Sequence, residues 1–235
     1  MKLITGRTKD NLVPDLLSTD GRSASSDLEK ADVLNSFFAS QTFLPGRDKD
    51  VPSLPPAPYD ACFAELSTTP ASVYKALSTL KVDKAPGNDG IPPCLLRLCA
   101  RGICNSVALL FNRSFRERVF PAEWKEAIVI PVFKKGSKAD PSNYRPISLL
   151  PILSKVQERL VFNELYPFLF GLLSDRQSGF RKRDGTSMQL IRLVQTWSAA
   201  VDSSNYVATV FFDLKKAFDR VWHRGLLAKL AAAGV

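Results

Sequence analysis

Residues 206–212 read YVATVFF, a largely apolar run that ends on Asp213 and passes directly into LKKAFDR. Val207, Val210, Phe211 and Phe212 suit a buried central strand, covered on both faces. Such a strand needs neighbouring strands at its edges. The carboxylate also needs a reason, because a charge at the end of a buried strand is costly unless it is paired or binds a metal. Asp213 therefore either caps the helix expected from about residue 216 or holds a cation.

The rest of the chain supplies mostly helices. Ser26-x-x-Glu29 is a capping box, and Leu28, Ala31, Leu34, Phe37 and Phe38 follow at near-helical spacing, predicting a self-contained helix to about Ser40. Residues 45–59 carry five prolines, which rules out regular helix or central strand there and makes a semi-rigid linker. Thr69-Pro70 opens a second helix, with threonine as cap and proline in the first turn. Its buried side is marked by Val73, Leu77 and Leu80. After the loop KVDKAPGNDGIPP (81–93) a long helical stretch runs over Leu95–Val119. Glu123–Phe133 reads as a helical turn feeding a strand. The loop 134–144 leads to a second strand near Arg145–Leu150, giving a hairpin with a basic tip. Helices follow at about 152–170 and 184–200. Many helices with few strands predict an α+β fold.

Composition narrows the function classes. No apolar run approaches the roughly 18 residues of a membrane span, and the polar start is no secretory signal, so an intracellular protein without a membrane partner is expected. Cys94, Cys99 and Cys104 lie five apart, a spacing unlike a zinc site, and predict buried free thiols. Residues 1–100 hold 11 Lys+Arg against 12 Asp+Glu, while residues 101–235 hold 21 against 11. The whole excess of +9 therefore lies in the second stretch. That asymmetry suits a polyanionic partner; a solvated basic surface would read the same way. The loop KAPGNDG lacks the phosphate-cradling G-x-x-x-x-G-K-[ST] pattern, so a P-loop is excluded.

Four blocks carry a resemblance, in order along the chain. FFDLKKAFDRV (211–221) is similar to motif A of the reverse transcriptases of non-LTR, LINE-like retrotransposons of the jockey kind. KAPGNDGIPPCLL (84–96) resembles the family's block before the fingers, AIVIPVFKKGSKADPSNYRPISLLPILSKVQERL (127–160) its fingers hairpin and the helix after it, and QSGFRKRDGTSMQLIRL (177–193) the block just before motif A. Even residues 20–38 are similar to the segment between endonuclease and polymerase in such elements.

The resemblance implies an incomplete right-hand polymerase, the fingers and the start of the palm, behind a helical connector. Its divisions would be 1–44 connector, 45–66 proline-rich linker, 67–205 fingers and early palm, and 206–235 the motif A strand and helix. Asp213 would be the first metal carboxylate, with the Leu214 carbonyl also facing a metal. Mg²⁺ would be the cofactor, since a rigid strand end fixes a carboxylate relative to two metal ions. Phe218 would sit under the incoming sugar and exclude a 2′-hydroxyl, or pack the first helical turn, or both. Arg145 would meet the triphosphate with its bidentate fork and Lys134 or Lys135 as a point charge; a merely charged turn is the plain alternative. Gln177, Gly179, Phe180, Arg181 and Lys182 would meet nucleic acid, by stacking and by phosphate contact, with core packing of Phe180 as the alternative. The partners implied are an RNA template, a DNA primer and deoxynucleoside triphosphates, in cytoplasm and nucleus. The sequence has no Asp-Asp step, which the family's motif C requires. The expectation is an RNA-directed DNA polymerase fragment that does not polymerise by itself; a catalytically dead, RNA-binding remnant is the other reading. An unpaired 206–212 strand would further leave an apolar edge prone to aggregation.

Overall fold

A computed structural model describes residues 13–18, 21–43, 50–51, 53 and 62–235 of the chain. Most of the expected linker, at 45–49, 52 and 54–61, lies outside the described residues. The described residues form helices and two small antiparallel sheets, an α+β composition. Contacts divide it into two units, residues 1–49 with 64–163 and residues 50–63 with 164–235.

In the first unit, short strands β1 (Leu16–Leu17) and β2 (Ser23–Ala24) pair before helix α1 (Asp27–Gln41). The capping box forms: Glu29 N–H donates to Ser26 Oγ at 3.3 Å, and Ser26 N–H donates to Glu29 Oε2 at 2.9 Å. The Ser26 amide is the main reason the Glu29 carboxyl is held below its usual range. Helix α1 is not self-contained. Leu34, with Leu16 and Ala24, shares a small core with Tyr144 of the hairpin, and Leu17 N–H donates to Ala139 O at 2.8 Å.

The main core gathers helices α2 (Pro70–Ser78), α3 (Pro93–Leu98), α4 (Ala100–Glu117) and the front of α5 (Ile152–Phe170). Val73, Leu77, Leu96, Val107, Phe111, Ile152 and Val156 bury together there. Instead of one helix over Leu95–Val119, the chain tightens at Cys99 (φ −84°, ψ 0°) and begins a new helix at Ala100. The thiols are free, but Cys62, Cys94 and Cys99 are exposed and Cys104 half-buried. This corrects the buried-thiol expectation: six-residue α3 buries only Pro93 and Leu96, which leaves Cys94 facing water.

Two local devices fix the approach of chain to helix. Asn112 grips the backbone of Thr68 twice, accepting from its N–H at 2.7 Å and donating to its carbonyl at 2.9 Å. Asn112→Ala is expected to lower stability by about 2 kcal/mol. A lower midpoint in urea at unchanged slope would register it. Gly87, in the KAPGNDG loop, is buried, and an added Cβ would overlap Pro151 N and the Leu150 carbonyl. That loop is a close backbone contact, not an anion cradle.

Strands β3 (Ile128–Phe133) and β4 (Tyr144–Leu149) form the expected hairpin, in register from Ile128↔Leu149 to Phe133↔Tyr144. Of its twelve strand residues only Tyr144 is buried.

The second unit, described at 50–51, 53, 62–63 and 164–235, holds the end of α5, helix α6 (Thr186–Asp202) and helix α7 (His223–Ala232). Leu190, Val194, Trp197 and Val201 recur along α6 as an apolar stripe, yet no residue of α6 is buried. Residues 206–214 are not a strand. They run without ladder partners and are exposed throughout. A strand exists only through its neighbours' hydrogen bonds, and no strand pairs with this run among the described residues. The helix expected from about 216 is also displaced: residues 215–220 are turns, Lys216 is left-handed (φ 55°), and helix resumes only at His223.

Candidate functional site

The cations of the first unit stand where the hairpin closes. Lys134 N–H donates to Asn143 O at 2.8 Å, so pairing continues one step past β3. Val132 lies opposite Arg145, and Lys134 therefore opposite Asn143. Because side chains alternate faces along a strand, Lys134 and Arg145 share one face of the ribbon. Lys135 follows on the other parity, within the loop. All three are exposed.

The loop itself is closely tied. Asp140 accepts from Ser142 N–H at 2.8 Å and from Ser142 Oγ–H at 2.7 Å. Asn143 Nδ2 donates to Ser137 O at 2.9 Å, beneath left-handed Gly136 (φ 93°). Tyr144 Oη donates to Lys138 O at 2.7 Å. Burial pushes the Tyr144 hydroxyl above its usual range.

In the second unit the segment 174–185 folds back on the end of α5. Arg181 lies 4.8 Å above the Phe170 ring, donates to Ser174 O at 2.7 Å and pairs with Asp175 at 3.8 Å. Its side chain is only 11% exposed. Lys182 Nζ sits 5.1 Å over the Tyr166 ring, and Lys182 N–H donates to Tyr166 Oη at 3.0 Å. Gln177 Nε2 donates to Gly179 O at 3.2 Å. Phe180 is 85% exposed, so it is no core residue; it is left-handed (φ 61°) and meets Phe218 edge-on at 5.6 Å. Such backbone angles cost a non-glycine residue of order 1 kcal/mol and cluster at functional loops.

Asp184 closes the segment. It accepts from Gly185 N–H at 2.8 Å and pairs with Arg192 of α6 at 3.5 Å. The Gly185 amide is the largest cause holding its carboxyl below the usual range. A depressed folded-state value means stability that is full above the ordinary carboxylate value and lost as pH falls through the lowered one. Phe170, Asp175, Arg181, Lys182, Arg183, Asp184, Met188 and Arg192 line a cleft of about 360 Å³. Tyr166, Phe170, Asp184 and Arg192 escaped the sequence reading. Their signal was present: aromatics at i and i+4 ending a helix, shortly before a cluster of cations.

Asp213 is exposed and has no hydrogen bond or ion pair among the described residues; Leu214 and Phe218 are also exposed. Gln177, Gly179, Phe180, Arg181, Lys182 and Phe218 are thus brought into one region of contact. Lys134 and Arg145 form a second, in the other unit. Asp213 makes no bond to the first of these regions among the described residues.

Residues 133–235 match the family described as reverse transcriptase (RNA-dependent DNA polymerase). The chain is similar to the RNA-directed DNA polymerase from mobile element jockey of Drosophila melanogaster. Identity there is 33% over 236 positions, covering 96% of this chain and 26% of the relative. Its counterpart in Drosophila funebris is 35% identical over 175 positions, 73% of this chain and 19% of the relative. The Pol polyprotein from type-1 retrotransposable element R1 of Bradysia coprophila is 31% identical over 164 positions, 68% of this chain and 16% of the relative. The similarity is therefore to the RNA-directed DNA polymerases of jockey-like non-LTR retrotransposons, with the reverse transcriptase domain itself matched over residues 133–235. The chain spans about a quarter or less of the length of these curated relatives.

Proposed function

We propose that this chain supplies the triphosphate-gripping and template-facing parts of an RNA-directed DNA polymerase, the fingers and first palm segment of a right-hand architecture. The observation that carries the reading is the hairpin register. It sets Lys134 and Arg145 on one exposed face at the end of an apolar ribbon, a fork and a point charge suited to the oxygens of a deoxynucleoside triphosphate. The register favours Lys134 over Lys135 for that role. Phe180, Lys182 and the exposed edge of Phe218 offer stacking and phosphate contact to an RNA–DNA strand, while Arg181 braces the loop from below.

The metal chemistry of such an enzyme is two Mg²⁺ ions that clamp the reacting phosphate. The donors among the described residues do not amount to that site. Asp213 offers one carboxylate and Leu214 one carbonyl, and no cluster of three or more His, Cys, Asp or Glu is present among the described residues. Asp213 is one ligand of a set completed by other groups.

Triphosphate gripping is tested by titrating the chain with a deoxynucleoside triphosphate and magnesium, with Lys134→Ala, Lys135→Ala and Arg145→Ala beside it. Lys134→Ala and Arg145→Ala should each weaken binding about tenfold, and Lys135→Ala much less. Equal losses from both lysines would remove the register argument.

Binding to RNA alone, without synthesis, is the second reading, favoured by the excess positive charge of residues 101–235. Under either reading single-stranded RNA binding should fall steeply with salt. With three or four phosphate contacts the loss is about thirtyfold between 50 and 200 mM salt. Fluorescence anisotropy at several salt concentrations measures it, and a flat response would exclude a phosphate-led interface.

A further inference from the structure

We infer that residues 13–18 and 21–43 are a buttress for the loop 134–143, and that Tyr144 is the positioning residue through which they set Arg145 and Lys134. The inference rests on the triphosphate reading of those two cations. A two-stranded ribbon is marginal in water unless one face packs on something. In this hairpin the strand residues are exposed or half-exposed except Tyr144, the residue immediately before Arg145. Tyr144 is 5% exposed and is enclosed by Leu16, Ala24 and Leu34.

From that anchor two bonds reach into the loop. Tyr144 Oη donates to Lys138 O at 2.7 Å, and Leu17 N–H donates to Ala139 O at 2.8 Å. The loop is therefore held at consecutive carbonyls, at Lys138 by the side chain of Tyr144 and at Ala139 by the backbone of the N-terminal segment. Helix α1 also packs on the turn Pro141–Asn143. The segment is itself braced: Lys30 pairs with Asp15 at 3.5 Å, and Ser25 Oγ–H donates to Asp15 at 2.9 Å. The hairpin ribbon offers the loop little burial of its own. Loosening the N-terminal core should free the loop and scatter the two cations.

Hydrogen exchange of the peptide spanning 134–143, followed by mass spectrometry, reads the order of the loop. Titration with deoxyadenosine triphosphate and magnesium reads its consequence. Tyr144→Phe removes one hydroxyl and should speed exchange about fivefold. Leu34→Ala, a core truncation, should speed it tenfold or more. Both should weaken triphosphate binding in proportion, and Leu28→Ala, on the exposed side of α1, should change neither. If Leu34→Ala unfolds α1, Tyr144→Phe carries the test. Unchanged exchange in Tyr144→Phe and Leu34→Ala would overturn the buttress. Faster exchange at unchanged triphosphate affinity, with Lys134→Ala still weakening it, would overturn the positioning role. If neither Lys134→Ala nor Arg145→Ala alters triphosphate binding, the functional reading of the hairpin fails, and exchange alone then decides whether the buttress stands.

Discussion

Purified as these 235 residues, the chain is expected to add no deoxynucleotide to a DNA primer annealed on RNA, at any magnesium concentration. Phosphoryl transfer depends on charge placed in advance around the phosphate. Asp213 is an exposed carboxylate on a segment without ladder bonds, and among the described residues it belongs to no group of three or more His, Cys, Asp or Glu that could hold a metal. Losing one such ligand from a polymerase site typically costs several kcal/mol in the transition state, about 10³-fold or more in rate. A single carboxylate on a segment without ladder bonds forfeits more, because no strand pairing fixes its distance to a reacting oxygen. Extension assays with labelled primer, run beside Asp213→Ala, decide the matter. Synthesis that disappears in Asp213→Ala would mean that the chain completes the site by itself, and the single-ligand view would be wrong.

The second large effect concerns stability. Gly87→Ala should destabilise the first unit by about 3 kcal/mol or more, since overpacking against fixed backbone is not relieved by a rotamer change. A Cβ there meets Pro151 N and the Leu150 carbonyl, where β4 gives way to α5. At roughly 2–4 °C per kcal/mol for a chain of this size, the melting temperature should fall by about 10 °C. Gly102→Ala is the matched control. Gly102 lies within α4 and nothing stands within 4 Å of its Cβ position. That exchange should stabilise by about 0.5–1 kcal/mol through helix propensity. If both alanines behaved alike, the close contact at Gly87 would carry no weight.

What the sequence disclosed depended on the range of the forces involved. The starts of α1 and α2 were legible because their caps are local: Ser26 with Glu29, and Thr69 with Ser72, which donates to it at 3.2 Å. The hairpin was legible for the same reason, two strand-like runs joined by a polar loop. The strand at 206–212 was misread because apolar composition states only what a segment could bury. Strand formation needs a partner, which no local pattern supplies. Likewise the packing of α1 on Tyr144 joins residues about a hundred positions apart, with no periodicity to announce it.

In the site, charge and aromatic content were visible but roles were not. Arg181 read as a phosphate contact; in the fold it is stacked and bonded within its own loop, through Phe170 and Ser174. Lys134 and Lys135 were indistinguishable as letters and became distinguishable through register.

Helix α6 carries Arg192, the partner of Asp184, yet buries none of its seventeen residues. A helix of that length held mostly by its own backbone bonds is close to balance between ordered and open forms. The loop it steadies is then competent for only part of the time. On the nucleic-acid reading proposed above, a strand that grips the loop would bind with an affinity multiplied by that fraction, and a surface that covers Leu190, Val194 and Val201 would return the lost affinity without touching the strand.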